Sequence, residues 1–304
     1  MRIKVFLNRH SGTMRTLGVE AAERVIVPEL ERAGHAVSVE GVTGQSLAER
    51  LDGLADAARR GVAPVDWVVV GGGDGSVNTA AARLAGTGLA LGILPLGTMN
   101  LFARSLGMPL DFTAAVAAIG RAEPRPADLA EVNGIPFVHQ LGFGVQPRMA
   151  RLRRHGPVKG RPGKLLDTAR ALIQVFRRPK VLHLGLTVDG TTRTVAVTGL
   201  VVSNSLYGDG HLPYADDPAD GRLGIYTSTS KAWGELVGLT TAIVRGTWKE
   251  SPHVTVAEGR DLVIEGRRGH IAATIDGELD RLALPVRVTK RPGVLRVLAV
   301  APDF

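Results

Sequence analysis

The sequence predicts an α/β protein of two domains: a parallel-sheet domain over residues 1–125 and a mainly antiparallel β domain over 126–304, whose last strand is free to return to the first. Three observations predict it. Apolar strands and helical stripes alternate as far as Gly107, the pattern of a parallel sheet with helices on its faces. Past Pro124 the chain turns to short strands joined at Asp-Gly and Asn-Gly pairs, a hairpin signature. And 304 residues are more than one core readily fills, since single cores stop growing at roughly 250–300 residues.

The elements follow in order. Ile3–Leu7 reads as a strand, and Val19, Ala22, Ile26 and Leu30 form a helical stripe. Ala36–Val42 is a second strand, and Leu47, Leu51, Leu54 and Ala58 mark a second helix. Trp67–Val70 is a buried strand that runs into GGGDG; Val77, Ala80, Ala81 and Leu84 continue as a helix stopping at Gly86. Leu89–Leu94 is a fourth strand, followed in PLGTMNLFARSLG by a turn and a short helix. In the second part, segments such as HLGLTVDGTTRTVAVTGLVVSNS, GRLGIYTSTS, HVTVAEGRDLVIEG and IAATIDGEL read as strands, interrupted by a basic helix and by another near Trp233–Val244.

Composition bounds the function. There is no cysteine, which excludes disulfide frameworks and thiolate metal sites. The opening MRIKVFLNRH has no signal-peptide layout, and no apolar run approaches the roughly 18–20 residues of a membrane span; a cytoplasmic protein is expected. Net charge is +8, concentrated between Arg148 and Lys180, where 11 Lys/Arg face the one acid Asp167, a net +10. That segment suits an anionic membrane surface, where each nearby basic residue contributes ~1 kcal/mol. Within it, Leu165, Ala169, Leu172 and Phe176 share a helical stripe that fits a membrane surface or a core equally. Nucleic acid is not the expected partner, because aromatics are 4% and no base-reading motif is present.

VVVGGGDGSVN poses the functional question. Its glycines suit a strand-to-helix turn that needs positive φ, or a polyphosphate seat in which bare main-chain N–H groups face an anion. Gly97 follows the next strand, so both glycine turns fall beyond the carboxyl ends of the sheet, where such folds bind ligands. Ser76 and Thr98 are each placed to cap the following helix or to offer a hydroxyl to phosphate. No lysine completes a P-loop, Ser76 replaces the third glycine of a dinucleotide fingerprint, and neither H-R-D nor G-x-S-x-G occurs at these sites. The eight histidines show no metal-like spacing.

GGGDGSVN, PLGTMNLFAR, DDPADGRLGIY and IDGEL, in that order, resemble the bacterial diacylglycerol-kinase-type lipid kinases across nearly the whole chain. The resemblance implies an NAD kinase/diacylglycerol kinase-like fold and an ATP- and Mg2+-dependent kinase that phosphorylates a lipid hydroxyl. It places Gly72, Gly73, Asp74, Gly75, Ser76, Val77 and Asn78 around the ATP phosphates, with Asn8, Thr43, Gly97, Thr98 and Asn100 completing the nucleotide site. Asp74 would face magnesium, and Glu278 would be the general base. The Asp220 side chain would hold a structural magnesium with the Asp217 and Arg222 carbonyls. Two departures stand out: Arg9 replaces a proline in LNRHSG, and Leu101 stands where many members carry an aspartate. An NAD kinase-like enzyme, which shares GGDG, and a non-catalytic nucleotide- or lipid-binding regulator are the alternatives.

Overall fold

The structure, a computed structural model, describes residues 1–155, 180–230 and 232–300. The chain divides into two compact units. The first holds Met1–Leu129, Ala215–Asp220 and the chain from Arg291; the second holds the described residues of Ala130–Tyr214 and Gly221–Lys290.

In the first unit β1 (Arg2–Asn8), β2 (Ala36–Val42), β3 (Trp67–Gly72) and β4 (Ala90–Pro95) form a parallel sheet in the order β2-β1-β3-β4. Every residue of β3 and β4 is buried, as continuous apolar runs require of strands covered on both faces. Between β1 and β2 run the short α1 (Met14–Leu17) and α2 (Val19–Arg32). α3 (Gly44–Arg59) links β2 to β3, α4 (Asp74–Leu84) links β3 to β4, and α5 (Leu101–Ser105) and α6 (Phe112–Arg121) follow. α2 packs with α6, and α3 with α4. α2 buries Ala22, Ile26 and Leu30, and α3 buries Leu47, Leu51 and Ala55; each large apolar side chain so covered contributes roughly 1.5–3 kcal/mol. The predicted stripe of α3 is corrected: Ala55 is buried, while Leu54 and Ala58 are only half-buried.

In the second unit β5 (Glu123–Val132), from Ala130 on, turns at Asn133-Gly134 into β6 (Ile135–Phe137). Then come β7 (Gln140–Gly144), α7 (Val145–His155), β8 (Leu182–Val188), β9 (Thr191–Val197), β10 (Gly199–Ser203) and β11 (Leu223–Ser228). α8 (Trp233–Arg245) and a 3-10 turn at Trp248–Glu250 precede β12 (Val254–Gly259), β13 (Asp261–Gly266), β14 (His270–Ile275) and β15 (Glu278–Ala283). One antiparallel sheet runs β12-β11-β10-β7-β14-β15. A second layer is built from β9, β8, β13 and the first residues of β16 (Val286–Ala299). Phe137, Phe143, Leu186, Val202, Ile225 and Ile264 are among the side chains that fill a shared core. The Asp-Gly and Asn-Gly hairpins form as predicted: Asn133, Asp189 and Asp276 take the left-handed region, each ahead of a positive-φ glycine.

Two segments beyond residue 125 cluster with the first unit. Ala215–Asp220 is held there by Ala215 N–H on Ser105 Oγ (3.2 Å) and by Asp128 N–H on the Pro218 carbonyl (2.9 Å). The end of β16 pairs parallel with β4 through Arg296–Ala90 and Val297–Leu91. The stripe Leu165–Phe176 lies outside the described residues. Among the described residues no helix is long and apolar enough to cross a membrane.

Candidate functional site

In the first unit, register aligns the carboxyl ends of the strands. Asn8 pairs with Val42, Leu7 with Gly71, and Gly72 with Pro95. Thr43, Asn8, Gly73 and Gly97 therefore leave the sheet along one edge. Asn8 Nδ2 donates to Ser76 Oγ at 2.8 Å, and its Oδ1 accepts from His10 N–H at 3.0 Å. Thr43 caps α3 in a reciprocal pair with Ser46, accepting its N–H at 3.3 Å and donating its own to Ser46 Oγ at 2.8 Å. Ser11, in the same turn as Asn8, has a buried hydroxyl with no partner among the described residues.

The glycines are there for close approach rather than for positive φ. Gly73 sits at φ −89° and ψ −178°, and none of Gly71, Gly72, Gly75 or Gly97 is left-handed. A Cβ at Gly97 would stand 2.5 Å from Gly73 Cα and 2.8 Å from Asn100 Oδ1; one at Gly72 would stand 2.6 Å from Ser76 Cβ. A Cβ at Gly75 would meet nothing within 4 Å. The two loops thus touch at Gly73 and Gly97, while Gly75 opens to solvent in the first turn of α4. Both expected caps are corrected: the N-cap of α4 is Gly73 and that of α5 is Asn100, so Ser76 lies inside α4 and Thr98 lies exposed before α5. Val77, within α4, is buried, and Asn78 is half-buried.

Asp74 ties the loops together. Its carboxylate accepts the Asn100 N–H at 3.2 Å and the Leu101 N–H at 2.8 Å. Such charge-assisted bonds are worth about 1.5–3 kcal/mol each. Leu101 therefore supplies a main-chain donor to Asp74 although its side chain has no acid. Asn100, left-handed at φ 50°, closes the second loop on itself: its Oδ1 accepts Gly97 N–H at 2.9 Å and its Nδ2 donates to the Gly97 carbonyl at 3.0 Å. What remains is an open helix N-terminus, where uncapped N–H groups and the helix dipole favour an anion.

Of the expected metal residues, Asp217 and Asp220 lie in the first unit and Arg222 in the second. Asp217 Oδ1 accepts Ala219 N–H at 2.8 Å, and Arg222 pairs with Glu258. No cluster of three or more His, Cys, Asp or Glu that could hold a metal occurs among the described residues.

In the second unit Glu278 opens β15 and is exposed. The turn before it is locked by Asp276, the corner of the predicted Asp-Gly hairpin. Asp276 accepts the N–H groups of Val138, His139 and Gln140 at 3.0, 2.9 and 2.8 Å. Asp276 itself sits at φ 48°, in the left-handed region that Asp tolerates where most residues do not. Nearby, an apolar hollow of about 210 Å3 is walled by Phe143, Val201, Tyr207, Tyr226, Ile243 and Trp248. Tyr207 and Tyr226 stack at 4.9 Å with Trp248 edge-on to both, and Tyr207 Oη donates to Gln140 Oε1 at 2.7 Å. Burial holds the Tyr207 phenol well above its usual range, hence neutral. His139 is lowered to about 4 by burial, and its Nε2 has no partner among the described residues.

Comparison with known proteins identifies the family. Residues 2–132 match the diacylglycerol kinase catalytic domain, and 143–299 match the YegS C-terminal NAD kinase β sandwich-like domain. The chain belongs to this family of lipid kinases and diacylglycerol kinases. A diacylglycerol kinase of Mycobacterium tuberculosis is 31% identical over 299 residues, covering 92% of this chain and 91% of that one. An uncharacterized Synechocystis protein is 29% identical over 157 residues, 52% of this chain and only 34% of its own length. The fold is shared with the crystal structure of a diacylglycerol kinase from Bacillus anthracis str. Sterne, at TM-score 0.71 and 20% identity, over 99% of this chain and 97% of that one.

Proposed function

We propose that this chain transfers the γ-phosphate of ATP to the hydroxyl of a lipid such as diacylglycerol, with Mg2+. The observation that carries the reading is the bare contact of Gly73 with Gly97 at the open start of α4. Phosphoryl transfer asks a protein mainly for position and for neutralised charge. Residues Gly73–Asn78 and the Gly97–Asn100 loop surround the triphosphate, which meets the free amides at the open start of α4, with Asn8 and Thr43 on the same edge. Each Asp74 oxygen keeps a lone pair beyond its backbone bond, a hard-oxygen donor that suits a hydrated magnesium. Magnesium at the phosphates would supply charge neutralisation. The Asp220 carboxylate, with the Asp217 and Arg222 carbonyls, is the proposed structural magnesium set.

Glu278 takes the proton of the acceptor hydroxyl while its oxygen bonds to the γ-phosphorus. The bond from that phosphorus to the β,γ-bridging oxygen breaks and ADP leaves. The carboxylate contributes about 10²–10⁴-fold, typical of a positioned base, and Asp276 fixes the turn that presents it. The aromatic hollow beside Gln140 supports an acceptor with a hydrocarbon chain. The basic segment 148–180 supports work at an anionic membrane surface.

The test is incubation with [γ-32P]ATP and Mg2+ against diacylglycerol, phosphatidylglycerol, sphingoid bases, polyprenols and NAD. Label in a lipid is expected. Label in NAD would give the NAD kinase reading instead, and protein that binds ATP but labels nothing would be a regulator without catalysis.

A further inference from the structure

A second hollow in the second unit, about 600 Å3, has a different chemistry. Five cationic side chains line it: Arg148 and Arg151 from α7, Lys180 before β8, and Arg267 and Arg268 from the turn between β13 and β14. Among the described residues His183 and His270 join them, and no aspartate or glutamate does. Glu265, next to Gly266 in the chain, is exposed, and Asp280 lines an adjoining hollow with Arg151 and Arg281. Lys180, Arg267 and Arg268 form no ion pair among the described residues.

Collecting like charges in a concavity destabilises the fold by self-repulsion, and the low-dielectric walls focus the resulting field onto any anion that enters. Guanidinium groups match phosphate oxygens two at a time. Arg148 and Arg151 are three apart on one helix and so share a face. The floor is of the opposite character: Val181, Leu184, Ile271 and Leu284 line it, with Leu184 buried beneath. Cations at the rim over hydrocarbon at the base select a ligand with both parts.

We infer that this hollow binds a phosphate-bearing amphiphile, its phosphate on the rim of Arg148, Arg151, Lys180, Arg267 and Arg268 and its hydrocarbon on the Val181–Leu184 and Ile271–Leu284 floor. The site deepens the membrane part of the proposed function, since Arg148, Arg151 and Lys180 belong to the basic segment, but none of its residues belongs to the nucleotide edge or to the turn of Glu278, so its binding is read apart from phosphoryl transfer.

Calorimetric titration of the full chain tests it, using sub-micellar dihexanoyl phosphatidic acid, inorganic phosphate and dihexanoylglycerol as separate ligands. Arg267 and Arg268 are exposed, so R267E/R268E keeps the fold. It should weaken phosphatidic acid on the order of thirtyfold or more, from ~1 kcal/mol per basic residue. Lys180→Glu should weaken it in the same direction, and neither variant should alter dihexanoylglycerol binding. Phosphatidic acid should also bind more tightly than inorganic phosphate. Equal affinity for the two would overturn the amphiphile and assign the rim to free phosphate. Affinity unchanged in both variants, or no binding of either phosphate ligand, would overturn the site itself.

Discussion

Gly75→Ala separates a structural glycine from one kept bare for a ligand. The added Cβ meets no atom within 4 Å, and residue 75 is helical with an ordinary φ. Alanine there should stabilise the fold by about 0.4–1 kcal/mol, the usual gain where the conformation is compatible. Gly97→Ala should do the reverse, because its Cβ would press on the main chain of Gly73 at 2.5 Å and no rotamer relieves that; overpacking of this kind costs about 1–3 kcal/mol. If the triphosphate sits on the first turn of α4, the methyl at 75 obstructs the anion that its amide faces. The loss of one charge-assisted bond, about 1.5–3 kcal/mol, is roughly a ten- to hundredfold weaker ATP affinity. Urea unfolding and ATP titration on the same preparations give both numbers. A Gly75→Ala protein as stable as expected that binds ATP with unchanged affinity would refute the phosphate seat.

Other outcomes follow from the same geometry. Asp74→Asn leaves one oxygen to accept from Asn100 and Leu101 and turns an amide donor toward the other N–H; unfolding should cost about 1.5–3 kcal/mol less, read by urea denaturation. Glu278→Gln should lower kcat about 10²–10⁴-fold with ATP affinity unchanged, since residue 278 is exposed; an unchanged rate removes it from the chemistry. His139 is lowered from 6.5 to about 4 by burial, so between those values the unfolded chain holds the extra proton. Stability present above pH 6.5 is therefore lost as pH falls toward 4, by about 3 kcal/mol in all. His139→Gln should flatten that slope, and a slope unchanged in the variant would assign it to other groups.

Periodicity made much of the first unit legible. The stripe Ala22–Ile26–Leu30 and the run into GGG needed no tertiary information, because one face or both faces of each element are apolar. α6 was missed although Asp111 caps it, accepting Ala114 N–H at 2.9 Å; its alanines give a weak stripe. β7 was missed for the same reason in another form, since QLGFG spends two of five positions on glycine. The purpose of the GGG glycines was beyond sequence: close approach of residue 97 to residue 73 is a contact across two loops, invisible to any local pattern. The lock of Asp276 on residues 138–140 was equally hidden, joining segments more than a hundred residues apart. A hairpin pair read locally was also the brace of the turn that carries Glu278.

The most direct measurement is a crystal structure of the first unit's sheet edge with a non-hydrolysable ATP analogue and magnesium bound to the full chain. The phosphates should lie against the amides of Gly73–Ser76 and the Gly97 loop, with the metal at Asp74. An analogue bound elsewhere, with those amides left to water, would contradict the account.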